Sequence, residues 1–170
     1  MRSSGLVALD PNDTLIDFTV FKTSKDDFPD DEDLIIHVRE RTLEFIKSVK
    51  ADTFVIEGLA YAGKSSRKDV IAGLFWGIRT EIRTKCPDML IGVVPVATWR
   101  SKVLDKEDRK FAKENYTPAK EAIKIATVSK LPSEINDFFL DYLSRKGYDL
   151  KTMYDLADAY FLGKYRNTLK

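Results

Sequence analysis

Three carboxylates in this 170-residue chain stand where packing alone does not call for them. Asp155 and Asp158 fall three apart within residues 149–165, DLKTMYDLADAYFLGKY, so a helix turns both to one side. The rest of that helix is apolar, with Met153, Leu156, Ala157, Tyr160 and Phe161 recurring at helical spacing to pack on a core. Neighbouring carboxylates repel each other and are best tolerated when a cation or strong hydrogen bonds compensate them. Plain exposure at the helix edge satisfies an isolated Asp-x-x-Asp equally well. The third acid, Glu57, ends a run of apolar, largely β-favouring residues, Phe54, Val55 and Ile56, that reads as a central parallel strand. Burying such a charge unpaired costs several kcal/mol or forces it to take up a proton. The C-terminal ends of strands are also where open α/β sheets gather active groups. Pairing with Arg67 or Lys68 is the structural alternative for Glu57. If the terminal helix crosses the sheet margin, Glu57, Asp155 and Asp158 meet. Such a cluster binds divalent metal at a phosphate, where one ion activates water and a second stabilises the leaving oxygen.

Composition narrows the chemistry further. The chain carries 28 basic and 27 acidic side chains, so net charge argues neither for nor against nucleic acid. The single Cys86 excludes an internal disulfide and a cysteine zinc cluster, and the lone His37, on the polar side of its helix, excludes a histidine-rich site. A metal here is therefore held by carboxylate oxygen, which favours magnesium or manganese. With no long apolar run and no signal-peptide segment, the chain reads as soluble and cytoplasmic, and its length and 44% hydrophobic content suit one domain over residues 1–170.

The elements that must position these acids follow in order. Residues 5–9 and 15–21 flank Asp10-Pro11-Asn12-Asp13 and read as a β-hairpin. Residues 32–49 carry a helical stripe, 51–60 a buried strand, 64–83 a helix entered at Ser65 or Ser66, and 90–96 a strand closed by Pro95. Gly73 and Gly77 on the second helix mark close packing on the sheet or a partner helix. Between residues 100 and 130, basic residues outnumber acids, with Trp99 and Tyr116 beside them, which suits either a phosphate-contacting surface or an ordinary wet face. Short helices follow Pro118 and Pro132 before the terminal helix. The expected fold is α/β, a mixed sheet covered by helices.

Taken together, these segments resemble the RuvC-type Holliday-junction resolvases of phage and bacteria, within the RNase H-like superfamily. The resemblance runs through the opening Ser3-Ser4-Gly5 and hairpin, FVIEGLA, KSSRKDVIAGLFWGIR, the strand ending in a proline before a basic segment, the Lys120-Glu121 pair of TPAKEAIK, and DLADAYFLGKY. It implies a three-layer fold with a mixed central sheet, and four acids binding two magnesium ions, or manganese. Glu57, Asp155 and Asp158 match the second, third and fourth acids. The first is either Asp10, by its Leu-Asp-Pro setting, or an acid on a strand lying before Met1. Arg100, Lys102 and Lys120 resemble basic residues near the scissile phosphate, and Lys64, Arg67 and Lys68 would hold DNA. The resemblance also implies a homodimer with Gly73, Gly77 and Ile78 near its contact, acting on branched DNA, four-way junctions above all, in the cytoplasm (the host's, if phage-encoded). Other branched DNA or RNA hybrids are the alternative substrates, and a nucleic-acid-binding homologue without activity is the non-enzymatic alternative.

Overall fold

The computed structural model describes residues 2–24, 27–28, 30–59, 68–118 and 121–168. It opens with an antiparallel hairpin of β1 (Arg2–Leu9) and β2 (Leu15–Thr23), in register from Arg2 opposite Thr23 to Leu9 opposite Leu15. The turn is built by Asp10, whose Oδ1 accepts the backbone N–H of Asn12 and of Thr14, each at 2.8 Å. Asp13 then adopts φ 67°, a left-handed conformation that aspartate tolerates better than most residues. Arg166 clamps this turn, donating to the Asp10 carbonyl and, at 2.7 Å, to the Asp13 carboxylate.

Helix α1 (Asp31–Ser48) starts at Asp30, which accepts the Glu32 N–H, and its first turn is acidic, as the helix dipole favours. The strands β3 (Thr53–Glu57) and β4 (Leu90–Val94) are parallel, with Glu57 opposite Val94, and α2 (Lys68–Lys85) lies in the crossover between them. Among the described residues five α-helices follow, α3 (Val96–Val103), α4 (Lys106–Asn115), α5 (Ala122–Ser129), α6 (Ser133–Arg145) and α7 (Thr152–Lys164), with a short 3-10 helix (Tyr165–Thr168) after the last. The basic segment is thus mainly helical, α4 being closed by a reciprocal capping box between Asp105 and Asp108.

Adjacent residues of β2 show the layering. Val20 enters a core with Phe139, Leu143, Leu156 and Tyr160, on the α6 and α7 side, while Phe21 enters a second core with Leu34, Val38, Ile78 and Ile82, on the α1 and α2 side. Alternation along a strand sends neighbours to opposite faces, so the strands form a middle layer between two helical layers. Leu6, Phe54 and Ile91 join the α1 and α2 core, which places both strand pairs over one interior.

The strands do not make the single mixed sheet expected from the sequence. They form two separate two-stranded sheets, β1 with β2 and β3 with β4, and no ladder joins them among the described residues. The apolar run of β3 predicts burial on both faces, yet every one of its residues is only half-buried. The reason is lateral: among the described residues β3 has a partner strand on one edge alone.

Candidate active site

Phe54 faces the α1 and α2 core, so Glu57, three residues on, faces the opposite side, toward α7. There the chain leaves β4 at Pro95 and enters α3, which delivers two consecutive side chains to the acids. Trp99, fully buried, donates its indole N–H to Glu57 Oε2 at 3.2 Å. Arg100 donates from Nη2 to Asp158 Oδ2 at 2.8 Å. The guanidinium also lies 5.0 Å from the Trp99 ring centroid, within cation–π range. One dipeptide therefore ties the end of β3 to the middle of α7.

Burial pushes both carboxyls above their ordinary range. At Glu57 desolvation leads, opposed by the positive field of Arg100 and reinforced by the negative charge of Asp158. At Asp158 desolvation again leads, opposed by the charge and hydrogen bond of Arg100 and by Lys124. Each acid thus feels Arg100, and Lys124 of α5 lowers both. Of the three carboxylates expected to meet, Glu57 and Asp158 occupy one electrostatic neighbourhood.

Asp155 sits one turn earlier on α7, half-buried. Its backbone receives β1: a Cβ on Gly5 would come within 2.7 Å of the Asp155 carbonyl oxygen, so only glycine permits this approach. Along the same pair of elements Leu9 meets Gly163, which puts the β1 turn about 12 Å beyond Asp155 at about 1.5 Å per helical residue. Asp10 belongs to that turn and uses its carboxylate on its own backbone, which removes it from this site.

The remaining expected residues divide. Lys64, Arg67 and Lys120 lie outside the described residues. Lys68 begins α2 and Lys102 lies on α3, both exposed. The alternative partnership of Glu57 with Lys68 is replaced by Trp99 and the field of Arg100. Gly73 and Gly77 face α1 of the same chain, where an added Cβ would meet Ile35 at 2.6 Å and Arg39 at 2.9 Å, and Ile78 is buried in the core beneath. These three positions, expected near a dimer contact, are filled by intrachain packing; the exposed large apolar side chains of α2 are Ile71 and Trp76.

Two contributors carry little local sequence signal. Trp99 stands beside surface charges in the chain, and only its position just beyond a strand-ending proline hints at a hydrogen bond to the neighbouring strand end. Lys124 is one lysine of many in its segment, and the fold brings its charge within range of both acids.

Oxygen-only donors suit a hard divalent cation, and Asp158 Oδ1 is buried without a hydrogen-bond partner. Still, among the described residues no three His, Cys, Asp or Glu side chains stand close enough to hold a metal ion together. Glu57 and Asp158 are instead two buried carboxyls whose nearby cation is Arg100, paired with Asp158 and acting on Glu57 through its charge. Among the described residues no helix is long and apolar enough to cross a membrane. No protein-family model matches this chain, no curated protein matches its sequence, and no solved structure matches its fold.

Proposed function

We propose that this chain is a divalent-metal-dependent endonuclease of RuvC-like type and RNase H-like fold, hydrolysing phosphodiester bonds in branched DNA, with four-way junctions as preferred substrate. One observation carries the reading: Glu57, at the C-terminal end of a parallel strand pair, and Asp158, on α7, are both largely buried acids held by one dipeptide, Trp99 to Glu57 and Arg100 to Asp158. Glu57 and Asp158 would hold magnesium, or manganese, with Asp155 adding a carboxylate from the preceding turn and two ions filling the site. When bound, the metal supplies a nucleophilic water and neutralises the leaving oxygen. The chain's own basic groups do the rest. Arg100 and Lys124 lie within the field of both acids, and exposed Lys102 and Lys68 extend the positive surface along which a phosphate backbone runs. In this reading the working form is a twofold dimer that nicks two strands symmetrically in the cytoplasm.

A second reading is favoured by the Arg100–Asp158 ion pair and by the want of a three-carboxylate group among the described residues. In it the chain binds branched nucleic acid without cutting it. Junction, flap and RNA-hybrid substrates at equal salt, with magnesium, compared between the parent protein and Asp158→Asn or Asp155→Asn, separate the two. Junction cleavage lost in the variants with binding retained supports the nuclease. Cleavage that survives both substitutions removes these acids from the site, and binding without cleavage in all three proteins selects the second reading.

A further inference from the structure

We propose that Arg100 is a built-in counter-cation, holding Asp158 until a divalent metal ion displaces it; this rests on the metal-site reading above. The geometry of the pair argues against a purely structural bridge. A guanidinium and a carboxylate can meet through two parallel hydrogen bonds, which is the strongest arrangement open to them. Here they share one, Nη2 to Oδ2 at 2.8 Å. The complementary groups left over, Arg100 Nε and Asp158 Oδ1, are both buried and both without a hydrogen-bond partner. A bridge evolved for stability alone would use that donor and that acceptor on each other. The pair instead keeps one carboxylate oxygen uncommitted.

Arginine keeps its charge at any physiological pH, so it is a permanent occupant rather than one that protonation removes. Its guanidinium rests 5.0 Å from the Trp99 ring centroid, and the same charge acts on Glu57 through the pocket. A divalent ion placed between Glu57 and Asp158 would face that positive charge at short range, in a site where burial weakens solvent screening. Metal binding then requires the guanidinium to leave Asp158, and an arginine so released is available to a phosphate oxygen, for which its fork is well suited. The ion pair thus resolves the mismatch between a carboxylate pocket and the want of a metal cage: the cation in residence is part of the chain.

The test is manganese binding to the full chain without DNA, followed by calorimetry and by the electron paramagnetic resonance signal of free ion. Parent protein, Arg100→Gln, Arg100→Met and Arg100→Lys are compared, each checked for native circular dichroism. Met keeps the aliphatic stem over Trp99 if Gln disturbs folding. Removing the charge is expected to tighten manganese binding by about tenfold or more, while Lys stays near the parent affinity and adding Asp158→Asn abolishes the gain. Equal or weaker binding by the Gln and Met variants, with the parent binding manganese, overturns the counter-cation role and leaves the metal site standing. No manganese binding by any of the proteins overturns the metal reading itself, and the displacement proposal with it.

Discussion

Glu57 is the residue at which burial and charge conflict most directly. Its carboxyl is pushed up chiefly by desolvation, so the folded state binds its proton more tightly than the unfolded chain does. Stability from this group is fully present below the unfolded pKa and is lost as pH rises through the higher folded value. In chelator-treated protein, urea midpoints should therefore fall as pH rises across that interval, and Glu57→Gln, neutral throughout, should flatten this component. A parent and variant with identical pH profiles would show that Glu57 is not desolvated as described. Its hydrogen bond to Trp99 gives a separate prediction. Trp99→Phe keeps most of the buried ring but removes the indole donor to Glu57 Oε2, and should cost about 1–3 kcal/mol by urea unfolding near neutral pH, where the acid is left with less compensation. In a double-mutant cycle, Glu57→Gln should absorb part of that loss, and strictly additive effects would deny the coupling. The acids themselves were legible from type and position, because an unexplained carboxylate at a strand end and a pair on an apolar helix are both local patterns. Trp99 and Arg100 were not assigned these partners, since they reach the acids across 42 and 58 residues of sequence.

At the scale of elements, periodicity carried most of the reading. The hairpin, α1, α2, α6 and α7 lie close to where apolar spacing and turn residues put them, and Met153, Leu156, Ala157 and Tyr160 form the buried face of α7 as their spacing required. Helix α3 is too short, at eight residues, to show a periodic stripe, and charge dominates α4, which buries Ala112 alone. Helix α5 is described from Ala122, and residues 119 and 120, where Pro118 would start it, lie outside the described residues. Glycine spacing was legible only as close packing, and the structure separates two kinds. At Gly5 the obstacle is the α7 backbone itself, at 2.7 Å, whereas at Gly73 it is the tip of the Ile35 side chain, at 2.6 Å. Backbone cannot rotate aside, but an isoleucine tip can. Gly5→Ala should thus lower stability by about 1–3 kcal/mol through overpacking, and junction cleavage, if present, should fall with it as α7 shifts. Gly73→Ala should cost less, because helix propensity returns up to about 1 kcal/mol. Thermal and urea unfolding of the two variants check this, and an equal or reversed ranking would mean that β1 does not lie as close to α7 as drawn.

For the whole molecule, the decisive feature is the division of the strand layer. Helix α7 packs against β1 and also touches β3, both strand pairs lie over the same α1 and α2 core, and yet no backbone ladder links them among the described residues. The sequence could not disclose this, because a strand's apolar pattern reports which faces are covered and says nothing of whether both edges are paired. A continuous run such as Phe54, Val55 and Ile56 asks for a central position, but β3 holds an edge position, and its half-burial records the difference. Strand edges without a ladder carry N–H and C=O groups that no neighbouring strand pairs, and these are the groups open to exchange. Hydrogen exchange reads this directly. In a strand paired on one side, alternate amides bond to the neighbour and the others do not, so β1 and β3 should each show protection at every second residue in the chain as it stands. Uniform protection along both strands would mean that each is paired on both edges and that the strand layer is not divided.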